Sequence, residues 1–304
     1  MKILILGYSN LVKRRVLNVL IKRKVSYSVA SKSKKKRDKN AYEWFNNYDY
    51  ALKKSNADLV YISLPNSLHY YWAKKALQRK FHVIVDKPIV REKKQLNELI
   101  SLAKKNKKLL SESIFFNYHK QFKQALKLCG GINKINHTQA NFIIPTPSIN
   151  SLLMSKFFCG GALMDMGPYA AAITRLIFKN KPNNFYSFVE KNKKGLAISF
   201  KILCNIKNKT FSGNFCFGGQ YKSNLTFYTK DKTIEINRAF APPSDTKLKI
   251  LVEKNNLTKT YKVNKDNAFD NYFLKIIKAI SSNNYNYFIN SIKYDVDIRE
   301  KISF

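Results

Sequence analysis

The chain is short of the residues that mark disulfide, metal and membrane proteins. It has 304 residues with four cysteines and four histidines. Cys129, Cys159, Cys204 and Cys216 form no C-x-x-C pair and have no histidine at metal-ligand spacing. They are expected as reduced, mostly buried thiols, which argues against a disulfide framework or a structural metal. His69, His82, His119 and His137 are scattered along the chain. No apolar run approaches the roughly 20 residues that span a bilayer. Ile3-Leu4-Ile5-Leu6 is too short for the apolar segment of a secretory leader. A cytoplasmic protein with no membrane partner is expected.

Acidic residues are scarce as well: 19, against 56 lysines and arginines, for a net charge of +37. Such an excess suggests a polyanionic partner. Arginine, however, is rare beside lysine, and arginine is the residue of bidentate phosphate and base recognition. Lysine, asparagine, isoleucine, tyrosine and phenylalanine, all abundant here, share AT-rich codons. The charge is read as a coding bias, and no specific nucleic-acid partner is expected.

The order of apolar runs is informative. Lys2–Leu6, Val25–Ala30, Ala57–Leu64, Phe81–Val85 and Leu109–Ser111 read as short buried strands. Helical spacing falls between them over Leu11–Ile21, Ser67–Arg79 and Glu92–Lys105. Strands alternating with helices predict parallel βαβ units in a Rossmann-like, doubly wound sheet. From Thr138 the texture changes to longer alternating runs: Gln139–Ile144, Leu196–Asn205, Thr210–Phe217, Leu225–Thr229, Thr233–Arg238, Lys247–Glu253 and Thr258–Val263. These predict an open, mostly antiparallel sheet, with helices over Leu163–Phe178 and Phe269–Ser281. The fold class is therefore α/β followed by α+β. The expected domains are 1–118 and 119–304, with 267–304 free to pack back on the first.

Three stretches carry chemistry. Asp86-Lys87-Pro88 ends a buried strand, and in open parallel sheets ligands bind at that carboxyl edge. The proline keeps the lysine before it out of the helical region. Gly7-Tyr8-Ser9-Asn10-Leu11 lies where a dinucleotide-binding turn belongs, although Ser9 and Val12 replace the second and third glycines. An ordinary strand-to-helix turn fits that motif equally well. At the end of the second strand, Ser31-Lys32-Ser33-Lys34-Lys35-Lys36 has a hydroxyl and cations where an acid would hold a ribose 2′-hydroxyl. A 2′-phosphate suits it better, hence NADP with NAD as the alternative. A plain surface lysine run is the other reading.

By order and spacing the chain resembles the Gfo/Idh/MocA oxidoreductase family. The resemblance rests on the first βα turn, Ser63-Leu64-Pro65-Asn66-Ser67-Leu68-His69, Asp86-Lys87-Pro88, Tyr118-His119 and the block from Gly160 to Tyr169. It implies a nicotinamide-binding first domain and a second domain that supplies substrate contacts and a homodimer or homotetramer interface. Lys87 matches the family lysine that touches the substrate hydroxyl. Tyr169 falls where many members carry an acid/base histidine; tyrosine there resembles the glucose–fructose oxidoreductase and dihydrodiol dehydrogenase branch. Asp165 matches the aspartate of the same pattern. Leu64, Pro65, Asn66, His69 and Asp86 correspond to turns beside the cofactor.

The chemistry needs such groups: hydride leaves a carbinol carbon only as its hydroxyl proton is taken. Tyrosine ionises near pH ~10, so a nearby ammonium must favour its phenolate if it is to act as base. Asp165 and Tyr169, four apart, share one face of a helix. Without the resemblance, Asp165 reads as an N-cap with Pro168 in the first turn, and Tyr169 as a core tyrosine. His69 reads as a helix-start residue packed in a cleft, and His119 as structural. Cys159 departs from the family's glycine run, and Ala172 from an aspartate that often contacts substrate.

The resulting expectation is an NADP(H)-dependent oxidoreductase acting between hydroxyl and ketone on a sugar, sugar nucleotide or polyol. A reductase of a non-sugar ketone or imine is one alternative. A cofactor-binding regulatory or scaffold protein without turnover is the other.

Overall fold

The computed structural model describes residues 1–32 and 37–302. Ser33-Lys34-Lys35-Lys36, the larger part of the run read as a 2′-phosphate site, lies outside the described residues. The chain divides into two compact units, Met1–Ser113 with Phe273–Lys293, and Ile114–Tyr272 with Tyr294–Phe304.

The first unit is built on six parallel strands: β1 (Ile3–Leu6), β2 (Tyr27–Ala30), β3 (Trp44–Phe45), β4 (Leu59–Ile62), β5 (His82–Val85) and β6 (Leu110–Glu112). Their order is β3-β2-β1-β4-β5-β6. Every residue of β1, β4 and β5 is buried. That is why those strands read as unbroken apolar runs: a parallel sheet is covered on both faces. The register sets Leu6 opposite both Ala30 and Ile62, so neighbouring strands end level.

Helices fill the crossovers. A π-helical turn over Val12–Val16 leads into α1 (Leu17–Lys22), followed by α2 (Tyr48–Lys54), α3 (His69–Gln78) and α4 (Lys93–Lys105). Helix α4 shows the amphipathic logic plainly. Leu96, Leu99, Ile100 and Ala103 are buried at i, i+3, i+4 and i+7, with lysines at both ends. Of the elements up to β6, two have no counterpart in the sequence reading, β3 and α2. Strand β3 is two residues long and exists by pairing with Val29 and Ala30. Helix α2 is started by Asn47, whose side chain accepts the Tyr50 N–H.

The second unit begins with α5 (Lys120–Leu128) and holds eight strands: β7 (His137–Ile144), β8 (Asn184–Lys191), β9 (Ala197–Ile206), β10 (Lys209–Phe217), β11 (Lys222–Tyr228), β12 (Thr233–Asn237), β13 (Leu248–Lys254) and β14 (Leu257–Val263). Their order is β14-β13-β12-β11-β7-β10-β9-β8, antiparallel except where β10 runs parallel to β7. Helix α6 (Ala162–Phe178) packs on β9 and β10, and α5 on β12 and β13. Period-two alternation puts Phe211, Phe215 and Phe217 in the core with Ser212 and Asn214 on the other face. Phe200 of β9 stacks on Phe215 with ring centroids 4.7 Å apart.

The chain closes with α7 (Ala268–Ser281) and α8 (Asn286–Ile302), and passes between the units within these two helices. No helix among the described residues is long and apolar enough to cross a membrane.

A buried ion pair ties the middle of α8 to α6. Arg175 donates from Nε and Nη2 to the two carboxylate oxygens of Asp295 at 2.8 and 3.1 Å, and the Asp295 side chain is 2% exposed. Burial pushes the Asp295 carboxyl up, and the guanidinium opposes that shift. Removing one partner strands the other charge in the interior, so Asp295→Ala is expected to cost about 3–5 kcal/mol. Arg175→Met combined with Asp295→Leu is expected to recover most of that. Urea unfolding of the three variants checks both outcomes.

Candidate active site

In the first unit the chain order reverses between β1 and β4, from which β2-β3 and β5-β6 extend in opposite directions. Such a switch point opens a crevice at the carboxyl ends of the strands. Gly7 closes β1 there with φ +97°, and a Cβ on it would lie 2.1 Å from the Ser63 carbonyl oxygen at the end of β4. Only glycine fits this approach. Tyr8, Ser9, Asn10 and Leu11 follow as the turn, and the last two are exposed.

Ser9 does more than replace a glycine. Its Oγ accepts the Val12 N–H at 3.1 Å, capping the helix, and lies 2.7 Å from Ser63 Oγ. Ser63 in turn donates to Asp86, which also accepts the hydroxyl of Tyr61. Tyr61 Oη and Ser113 Oγ are 3.1 Å apart. A hydrogen-bonded row therefore crosses the ends of β1, β4, β5 and β6. The turn that looked depleted in glycine is held by a polar network that only pairing of the strands assembles.

Asp86 and Lys87 are both half-buried at the end of this row. The Lys87–Pro88 peptide is cis. Burial pushes the Asp86 carboxyl up, while Ser63, Tyr61, His69 and Lys87 pull it back. Beyond the proline, the Ile89 N–H donates to Glu112 Oε1 at 2.7 Å. His69, at the start of α3, is 1% exposed. Its two ring nitrogens face the carbonyls of Pro88 and Leu64, so the Leu64-Pro65-Asn66 turn and the Lys87-Pro88 turn meet across one imidazole. Burial is the main influence on its pKa and acts downward.

On the β2 side, Ser31 is buried and donates its N–H to the Phe45 carbonyl at 2.9 Å. Lys32 is exposed, with its ammonium 5.6 Å from the centre of the Tyr48 ring. Tyr8 sits edge-on to Trp44 with centroids 5.1 Å apart, and the Lys13 ammonium lies 4.5 Å over its face. Burial and Asp38 raise the Tyr8 phenol.

Asp165 and Tyr169 lie in the second unit. The Asp165-cap reading is overturned: the N-cap of α6 is Gly161, with φ +99°, and Pro168 stands inside the helix. Asp165 instead donates its N–H to the Gly161 carbonyl at 3.0 Å in the first turn, where a carboxylate suits the helix dipole. A Cβ on Gly160 would meet the Leu153 carbonyl oxygen at 2.4 Å, so this glycine lets the preceding turn approach the helix start. Cys159 holds φ +55°, the conformation its family glycine would adopt without strain.

Tyr169 follows Asp165 by one helical turn and is half-buried. Its ring lies 6.0, 5.4 and 5.6 Å from those of Phe116, Phe142 and Phe240. These three aromatics, from a short 3-10 helix (Phe116–Tyr118), β7 and the turn after β12, were not singled out from the sequence. Nothing in the sequence places them together. Ala172 is fully buried. His119 is structural: its Nδ1 accepts the Gln121 N–H at 3.1 Å as the cap of α5. Among the described residues no group of three or more His, Cys, Asp or Glu could hold a metal ion.

The comparisons with known proteins agree with the fold. Residues 1–113 match the model of an oxidoreductase family with an NAD-binding Rossmann fold. The amino-terminal domain belongs to the Gfo/Idh/MocA oxidoreductase family. Among curated relatives, the dTDP-3,4-didehydro-2,6-dideoxy-alpha-D-glucose 3-reductase of Actinomadura kijaniata is 27% identical over 212 residues, 68% of this chain and 64% of that protein. The matched stretch thus spans less than two thirds of the reductase. D-xylose 1-dehydrogenase (NADP(+)) 2 of Haloferax volcanii is 26% identical over 145 residues, 47% of this chain and 44% of that one. In three dimensions, a 3-ketoreductase from Actinomadura kijaniata solved with NADP and TDP-benzene shares the fold. The TM-score is 0.92 at 22% identity, covering 100% of this chain and 97% of the other. The likeness in fold therefore runs through the carboxyl-terminal sheet as well.

Proposed function

We propose that this protein is an NADP(H)-dependent oxidoreductase that interconverts a hydroxyl and a ketone on a sugar, sugar nucleotide or related polyol. The observation that carries it is the row from Ser9 through Ser63 to Asp86, which sets Lys87 at the switch point beside the Gly7 turn. The relatives that act on a nucleotide-linked sugar and on xylose support the substrate class.

The cofactor fits the residues present. The exposed Asn10 and Leu11 leave the start of the first helix open to a pyrophosphate. Lys32 after the buried Ser31 is suited to a 2′-phosphate, which favours NADP over NAD. When bound, the cofactor supplies or accepts the hydride. Lys87 holds and polarises the substrate oxygen, and Tyr169 gives or takes its proton, with Asp165 one turn before it. An ammonium near the oxygen favours the alkoxide that must form and the phenolate that must accept.

The four buried or half-buried cysteines, none in a disulfide, suit a cytoplasmic enzyme. A second copy is expected on the open face of the large sheet. There Tyr186, Phe188 and Leu203 stand 67, 65 and 53% exposed, with Tyr186 directly opposite Leu203.

Thermal unfolding in the presence of NADPH, NADP, NADH and NAD tests the reading. A ligand at 100 times its Kd adds about 2.7 kcal/mol to the folded state. The expected result is a rise with the phosphorylated pair that exceeds the rise with the other two. No rise with any of the four would remove the enzymatic reading.

A further inference from the structure

The two contacts of the His69 ring cannot both be made by a neutral imidazole. Nδ1 lies 2.8 Å from the Pro88 carbonyl oxygen and Nε2 lies 2.7 Å from the Leu64 carbonyl oxygen. A carbonyl oxygen only accepts, and a neutral ring has one N–H and one lone pair. One of the two contacts would then set lone pair against lone pair at hydrogen-bond distance, on a residue 1% exposed. A ring protonated on both nitrogens donates to both oxygens.

The surroundings supply the balancing charge. Two charged groups act on the ring: Asp86 favours its proton and Lys87 opposes it. Asp86 uses both carboxylate oxygens as acceptors, one for Tyr61 and one for Ser63, as an ionised carboxylate does. Burial works against charge on each partner separately. It works far less against the pair, because a charge beside its opposite is partly repaid for lost water.

We propose that His69 is an imidazolium, balanced by Asp86, that clamps the turn after β4 to the turn after β5 and so positions Lys87. Its consequence for Lys87 rests on the proposed oxidoreductase function; its protonation state does not. The clamp explains why a histidine opens α3. Arginine or lysine is too long to serve two carbonyls either side of one flat ring, and glutamine donates from a single nitrogen.

Long-range proton–nitrogen NMR of the imidazole rings in histidine-labelled protein reads the assignment directly. The His69 signal is identified by its loss in His69→Gln. At about pH 7.5, some one unit above the ordinary histidine pKa, His69 is expected to show two protonated nitrogens. A ring with one bare nitrogen at that pH overturns the proposal. In Asp86→Asn the second proton is expected to be lost at the same pH; a ring that keeps it rules out Asp86 as counter-ion. His69→Gln is expected to lower kcat about 10²-fold, since His69 is the positioning residue and Lys87, which it holds, loses its alignment with the substrate oxygen. An unchanged kcat would leave Lys87 independent of the clamp. If no cofactor stabilises the protein while the ring is doubly protonated, the enzymatic reading fails and the clamp stands.

Discussion

Tyr169→Phe is expected to lose about 10²–10⁴-fold in kcat while still binding NADPH, the range general acid–base groups supply. The substitution is clean because of what surrounds the ring. Phe116, Phe142 and Phe240 hold it by edge and tilted contacts that a phenylalanine repeats. Only the hydroxyl is removed, so folding and thermal stabilisation by cofactor should persist. Lys87→Ala is expected to fall by a similar factor in kcat/KM for the carbonyl substrate, since both orientation and polarisation of the oxygen go with the ammonium. Steady-state kinetics on a panel of keto-sugars and sugar nucleotides measures both. A Tyr169→Phe protein with full turnover would assign the proton transfer elsewhere.

Gly7→Ala should be the most damaging small substitution in the first unit. Two costs add. At φ +97° any L side chain is strained, and the new Cβ would sit 2.1 Å from the Ser63 carbonyl and 2.9 Å from Leu64 Cδ2. The carbonyl is backbone at the end of β4 and cannot swing aside without disturbing the Ser9–Ser63–Asp86 row. A loss of about 3–5 kcal/mol is expected, together with loss of the NADP-induced stabilisation.

Gly131 provides the control. It has the same φ of +97°, but nothing lies within 4 Å of where its Cβ would be. Gly131→Ala carries only the conformational strain, about 1–3 kcal/mol, and should leave cofactor binding intact. Equal losses from the two substitutions would mean that the close approach at Gly7 is not what holds the turn.

Much of this molecule could be read before its structure. The strands β1, β4 and β5 are uninterrupted apolar runs because both faces of a parallel sheet are covered, and burial of every residue bears that out. The alternating runs of the second unit followed from one buried and one open face. Two-residue β3 carries no periodicity of its own. Strand β8 bears apolar side chains on both faces, Phe185 and Val189 on one and Tyr186 and Phe188 on the other, which hides its alternation. Helix α8 places Asp295 and Arg299 on its buried side, where a binary pattern expects apolar residues.

Lys87, Gly7 and Tyr169 were legible one at a time, each from a motif a few residues long. Their meaning was not. Ser9 looked like a lost glycine. With Ser63, 54 residues away, and Asp86 beyond it, Ser9 became part of a row spanning four strand ends. His69 looked like a packed helix start, and only the Leu64 and Pro88 carbonyls on either side of its ring show that it needs two protons. The chain alone determined which residue types stand at strand ends and helix starts, because local propensity and burial periodicity are written along it. Tertiary structure decided which of them share hydrogen bonds and charge, because those depend on distances between segments far apart in sequence.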